Sequence, residues 1–170
     1  LSTWRKANPA LGDFRSLELV AIVRRHDQQQ PRLNAWQRRQ KLEHRAVDDV
    51  VRERMARGAT QLVLLGAGYD CRAYRLPELR GARVFEVDHP ATQSWKRQRL
   101  ARSGIAIPEL LTFVPMDFRQ HALADELHGA GFLPAQPAFF SMLGVAIFIP
   151  LATLTGILAL VASLPPPSGV

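Results

Sequence analysis

Cysteine is nearly missing from this chain: Cys71 stands alone among 170 residues. A single thiol excludes an intramolecular disulfide and a cysteine-rich zinc site. It suits a reducing compartment, which makes the cytoplasm the expected location. No apolar signal core comes after Leu1-Ser-Thr-Trp-Arg-Lys6, which argues against export. The chain also begins without methionine, so a fragment or processed chain is expected. No Walker lysine stands after a glycine loop, and neither G-x-S-x-G nor H-E-x-x-H occurs. P-loop phosphoryl transfer, a hydrolase serine elbow and a zinc-protease helix are thereby excluded. No resident metal is expected.

Charge is missing from the tail. Between His128 and Val170 there is no acidic or basic side chain. The run Phe139 to Leu164 is long enough for a membrane span, which needs about 20 apolar residues. Pro150 falls in its middle, however, where a continuous helix loses a hydrogen bond, and Gly144 and Gly156 weaken it further. The preferred reading is a buried strand at Ala138–Leu143, a loop closed at Pro150 and a helix over Leu151–Leu164. Such a helix needs covering by further structure. Membrane anchorage stays open as an alternative.

Elsewhere charge is plentiful, with 22 Lys and Arg against 15 Asp and Glu, a net +7. The excess does not form a nucleic-acid footprint. Arg24–Arg25, Arg38–Arg39, Arg52 with Arg54 and Arg97 with Arg99 are scattered and mixed with acids. None is interleaved with aromatics as in single-strand binders. No nucleic-acid partner is expected.

The hydrophobic pattern alternates between helix and strand. Leu17, Leu19, Val20, Ile22 and Val23 suit a short helix after Asp13. A longer helix covers Leu33–Arg57, with Leu42, Ala46, Val47, Val50, Val51 and Met55 on one face and Gly58 at its end. Asp48–Arg52 and Glu53–Arg57 are spaced as i,i+4 pairs on a solvated face. Strands come next at Leu62–Leu65, Arg83–Asp88, Leu111–Asp117 and Pro137–Leu143. Helices fall between them over Cys71–Leu76, Ala91–Arg102 (with Trp95 and Leu100 inward) and Phe118–Gly129. This order predicts an α/β sheet.

Chemistry concentrates at three successive strand ends. Gly66-Ala67-Gly68 stands after the first strand and lets the backbone turn sharply against a ligand. Asp88 ends the second strand, where a carboxylate can accept from both hydroxyls of a ribose. Asp117 ends the third, placed to accept from an adenine amino group with Phe118 beside the ring. In a parallel sheet these ends lie along one edge. The dinucleotide fingerprint asks for a third glycine where Cys71 stands. Its absence moves the expectation from a pyrophosphate cofactor to S-adenosyl-L-methionine, although a nicotinamide-dependent oxidoreductase stays open.

Three segments carry a family resemblance: Gly66-Ala-Gly-Tyr-Asp-Cys-Arg-Ala-Tyr-Arg-Leu76, Val84-Phe-Glu-Val-Asp-His-Pro90 and Met116-Asp-Phe118. Together they resemble the leucine carboxyl methyltransferase family, and within it the bacterial branch of S-adenosylmethionine-dependent methyltransferases. The resemblance runs from residue 42 to the end, and its first two motifs are highly specific. It implies a class I methyltransferase fold, a Rossmann-like sheet with helices on both faces, here truncated after the fourth strand. Residues 1–57 would form a helical cap and 58–170 the cofactor-binding domain.

The same resemblance implies that Gly66, Ala67 and Gly68 line S-adenosyl-L-methionine. Asp88 would hold its ribose, Asp117 and Phe118 would flank its adenine, and Arg45 would pair with its methionine carboxylate. The activity implied is O-methylation, at a carboxyl or hydroxyl, of a small-molecule acceptor. Leu143 stands where relatives often carry glutamate, which argues against methylation of a protein C-terminus. Met142 stands where a bacterial subgroup has tryptophan, and Cys71 replaces a threonine.

Several residues carry plainer roles beside these. Asp70 suits a helix cap, Asp117 can cap the helix after it, and Cys71 reads as a small buried filler. Glu86 shares a strand face with Asp88 but is placed to support rather than touch a ligand. His89 and His121 each read as structural, and no catalytic residue is assigned. A truncated, inactive remnant is the remaining alternative.

Overall fold

The computed structural model describes residues 35–170, with side chains from Arg45 onward. The short helix expected around Leu17–Val23 lies outside the described residues. Helix α1 (Ala35–Ala56) is broken by Gly58, whose positive φ of 103° turns the chain into β1 (Gln61–Leu65). The chain continues through α2 (Arg72–Arg75), β2 (Arg83–Asp88), α3 (Pro90–Arg102), β3 (Leu111–Pro115) and α4 (Leu123–Gly129). It ends with β4 (Ala138–Ser141) and α5 (Leu151–Ser163).

The four strands form one parallel sheet in the order β3-β2-β1-β4. The first three strands step outward on one side, and β4 returns to the other side of β1. This is the order of a Rossmann-like sheet, and the reversal beside β1 is the switch point where such sheets bind ligands. Register sets Leu65 beside Val87 and Asp88 beside Pro115, so three strand ends are level.

Strand periodicity divides the core in two. On one face Leu62, Leu64, Val84, Leu111 and Phe139 pack under Val47, Val51 and Met55 of α1. On the other face Val63, Leu65, Phe85, Val87, Val114 and Phe140 pack under Leu127 of α4 and Ile157 and Val161 of α5. Helices therefore cover both faces, and every residue of β1 is buried, as a central parallel strand requires.

The tail folds as strand, loop and helix. At 13 residues α5 is too short to span a bilayer, and no helix among the described residues is long and apolar enough to do so. Ile147, Phe148, Leu151 and Leu158 are nonetheless exposed. Beyond α5, Gly169 accepts from the Phe140 amide at 2.8 Å and donates to Ala138 at 3.1 Å. The last residues thus pair in parallel along the outer edge of β4.

Three local expectations are corrected. Asp48 does not pair with Arg52, which instead binds Asp49 at 2.8 Å and Glu78 at 2.9 Å. Asp48 points inward, because Arg72 and Arg75 lie on that side of α1. Trp95 is only half-buried and stacks edge-on against Tyr69, with ring centroids 5.0 Å apart. The helix after β3 begins at Leu123 rather than Phe118, because Asp117 first closes a turn.

Candidate functional site

The site begins where β1 ends. Gly66 takes φ of +67°, a conformation that costs a side-chain-bearing residue energy. Its amide, and that of Ala67, donate to the Val87 carbonyl at 2.8 and 3.2 Å, drawing the turn toward β2. A Cβ on Gly66 would come within 2.7 Å of Val145, so the loop after β4 already fills that side. The Asp70 amide then donates to the Ala67 carbonyl at 2.7 Å, closing a four-residue turn.

Asp88 meets this turn from β2. Its Oδ2 accepts from the Gly68 amide at 2.5 Å and its Oδ1 from the His89 amide at 2.6 Å. A carboxylate has about four lone-pair sites, so each oxygen keeps one for a ligand. Burial lifts the Asp88 carboxyl above its ordinary 3.8, while the two amides and Lys96 oppose that rise. A Cβ built on Gly68 would sit 3.6 Å from Asp88 Oδ2, an ordinary contact, so space for a side chain remains beside the bond.

Asp117 lies one strand further along, after β3. Its Oδ1 accepts from the Arg119 amide and its Oδ2 from the Gln120 side chain, each at 3.0 Å. The Arg119 amide holds its carboxyl below the ordinary value. Phe118 is half-buried and packs against the cluster under α4 and α5, its carbonyl accepting from the Thr153 hydroxyl at 3.0 Å. Both histidines have structural partners. His89 Nδ1 caps α3 by accepting from the Ala91 amide at 3.2 Å, and His121 Nδ1 lies 3.3 Å from the Asp117 carbonyl.

Arg45 comes from α1, which runs away from the glycine turn toward the start of β1, so its earlier residues lie nearer the turn. One turn further along that helix, Asp48 accepts from Arg72 at 3.0 Å and from Arg75 at 2.6 Å. Arg72, almost wholly buried, also pairs with Asp70. At 1.5 Å rise per residue, Arg45 lies about 4.5 Å from Asp48 along the axis and is exposed. Gly68 is thus joined directly to Asp88, Gly66 and Ala67 are held to the neighbouring Val87 carbonyl, and Asp117 lies one strand away. No hydrogen bond or ion pair among the described residues joins Arg45 or Phe118 to that cluster.

Two groups of functional interest escape a reading by periodicity. One is the Asp48–Arg72–Arg75 network, which locks α1 to the turn. The other is Lys96 with Glu86, a buried ion pair at 2.7 Å. The signal for the second was present: Glu86 faces inward on a buried strand, where a carboxylate needs a cation. Cys71 is the inert filler expected, its thiol pushed up to about 12 by burial.

These features define a Rossmann-like α/β protein with its glycine turn and two carboxylates on one sheet edge. The chain belongs to the leucine carboxyl methyltransferase family, whose model matches residues 8–162. It is 44% identical over 103 residues to "Putative S-adenosyl-L-methionine-dependent methyltransferase YktD" of Bacillus subtilis, covering 60% of this chain and 34% of that protein. It is 38% identical over 103 residues to "Putative S-adenosyl-L-methionine-dependent methyltransferase Rv0281" of Mycobacterium tuberculosis, covering 61% and 34%. The matched regions thus span about a third of these relatives. Among solved structures it is similar to the apo S-adenosylmethionine-dependent methyltransferase SibL (TM-score 0.43, 14% identity, 96% of this chain and 51% of that one). It is also similar to a precorrin-6y C5,15-methyltransferase from Geobacter metallireducens (TM-score 0.39, 16% identity, 85% and 79%). These structural likenesses are too distant to bear on function.

Proposed function

We propose that the chain binds S-adenosyl-L-methionine across the carboxyl ends of β1, β2 and β3, and serves O-methylation of a small-molecule acceptor. The observation that carries this reading is the Asp88 carboxylate, held by one backbone amide on each oxygen. A carboxylate fixed in that way offers its remaining lone pairs to two vicinal hydroxyls at once. In this reading Gly66, Ala67 and Gly68 lie against the cofactor. Asp117 and Phe118 bound its adenine, and Arg45 meets its methionine carboxylate. Residues 58–170 hold it; of the cap expected over 1–57, residues 1–34 lie outside the described residues.

Two features favour this ligand over a dinucleotide. The Gly68 amide, which a pyrophosphate would need, is spent on Asp88. The start of α2 is occupied as well, because Asp70 Oδ1 accepts from the Arg72 amide at 2.8 Å. An anionic phosphate would meet a carboxylate there instead of free amides. A ligand with a sulfonium and no phosphate suits the turn better.

When bound, the cofactor supplies an activated methyl group. The protein's contribution is to hold that methyl in line with the acceptor oxygen, and such positioning supplies most of the acceleration. An acceptor carboxylate needs no general base, whereas a hydroxyl does. His89 and His121 each have Nδ1 in a structural contact, and the acceptor is a carboxyl or a hydroxyl. Incubation with methyl-labelled cofactor and a panel of small carboxylic acids and alcohols tests the reading. Label in a base-labile ester supports it, and cofactor binding with no transfer to any oxygen acceptor argues against the acceptor class.

A further inference from the structure

Lys96 lies on α3, the helix that follows Asp88, and is among the most buried of the described residues. Its ammonium sits under the glycine turn. It donates to the Ala67 carbonyl at 3.2 Å and to the Asp70 carbonyl at 2.6 Å, the first and last residues of that turn. Its third contact is Glu86 Oε2, at 2.7 Å, on β2. The ammonium thus spends two of its three donors on turn carbonyls and meets the Glu86 carboxylate as an ion pair. The Tyr74 ring closes the cation off from one side, 5.4 Å away. The tripod ties both ends of the turn to the strand that carries Asp88.

We propose that Lys96 is a positioning residue for the cofactor site, fixing the Ala67–Asp70 turn so that the Gly68 amide stays on Asp88. This rests on the reading of that edge as the S-adenosyl-L-methionine site. The physical reason is directional. With both carbonyls drawn down to Lys96, the turn cannot flip its peptides, and its upper surface presents the same backbone to every ligand. A buried cation here is otherwise costly, since isolated charge in an apolar interior is strongly disfavoured. Glu86 offsets that cost and cannot itself reach the turn carbonyls as a donor.

Lys96→Met, and the double variant Lys96→Met with Glu86→Gln, separate this role from simple stability. The double variant leaves no unpaired buried charge, so it keeps the fold if the single variant does not. The first readout is calorimetric titration with S-adenosyl-L-methionine. The second is amide hydrogen exchange in the absence of cofactor. Affinity about tenfold weaker is expected, with faster exchange at Gly68 and Asp70 and unchanged protection in β1 and β4. Wild-type affinity together with wild-type exchange at Gly68 in the double variant overturns the proposal. So does exchange that rises equally throughout the sheet, which marks a merely structural lysine. If the wild-type chain takes up no cofactor, the functional reading fails by itself, and exchange at Gly68 alone judges Lys96.

Discussion

The Gly68 amide donates to Asp88 Oδ2 at 2.5 Å, joining the turn after β1 to the end of β2 twenty residues later. The bond gives a physical reason for an acid at this spacing from the turn. The acid takes the turn's backbone amide while keeping lone pairs for a ligand. The same bond bears on how ligand binding depends on pH. Burial raises the Asp88 carboxyl above 3.8, so it takes up a proton at a higher pH than an ordinary aspartate. Protonation removes one acceptor. Affinity for S-adenosyl-L-methionine is therefore expected to hold near neutrality and to fall on acidification before pH reaches that ordinary value. Titration calorimetry across this range checks it; affinity that stays level down to the ordinary carboxylate range contradicts the role given to Asp88.

Gly66 is expected to resist substitution for two separable reasons. Its φ of +67° costs an alanine about 1–2 kcal/mol. The new methyl would also press on Val145 at 2.7 Å. Gly66→Ala should lower stability in urea unfolding. Adding Val145→Ala should recover the steric part and leave the backbone part. Full recovery would show that the positive φ carries no cost.

Asp48 is expected to matter for stability more than any exposed acid on α1. It faces Arg72 and Arg75, with side-chain exposures of 6%, 1% and 12%. Removing one member of a buried ion pair typically costs about 3–5 kcal/mol, so Asp48→Ala is predicted near the lower end, since Arg72 keeps Asp70. Glu53→Ala, which breaks a solvent-exposed pair with Arg57, should fall within measurement error. Chemical denaturation of the two variants checks the contrast, and equal losses would contradict it.

The same aspartate gives a pH signature. Burial alone would raise its carboxyl, but Arg75 and Arg72 outweigh burial and bring it below 3.8. A group whose folded value is depressed contributes stability above its unfolded value and loses it as pH falls through the folded one. The wild-type chain should thus be steeply destabilised by acid below about pH 4. Asp48→Asn should flatten that slope. An unchanged slope would mean that Asp48 is not the group responsible.

How much of the molecule was legible in the sequence depends on whether one residue or a pair carried the signal. Strands β1 and β2 could be read within a residue because their short apolar-rich runs were bracketed by turn residues. The glycine turn, Asp88 and Asp117 could be placed next, since a parallel sheet brings strand ends together whatever their helices do. Pairings across the fold were not legible. Asp48 has Arg52 four residues on, and local spacing alone favours that pair. Its real partners stand 24 and 27 residues away. Lys96 was hidden for a related reason. The buried face of α3 is Gln93, Lys96 and Leu100, so a search for apolar periodicity passed over it. Gln93 is used in the same way, its amide donating to the Glu86 carbonyl at 2.9 Å. Polar residues that bond to buried backbone leave no hydrophobic trace.

Asp88 as the anchor of an S-adenosyl-L-methionine site is the central claim, and calorimetric titration of the chain and of Asp88→Ala tests it most directly. Saturable binding heat is predicted for the wild-type chain and none for Asp88→Ala, with the variant's sheet still folded by circular dichroism. Undiminished affinity in a folded Asp88→Ala chain would contradict it.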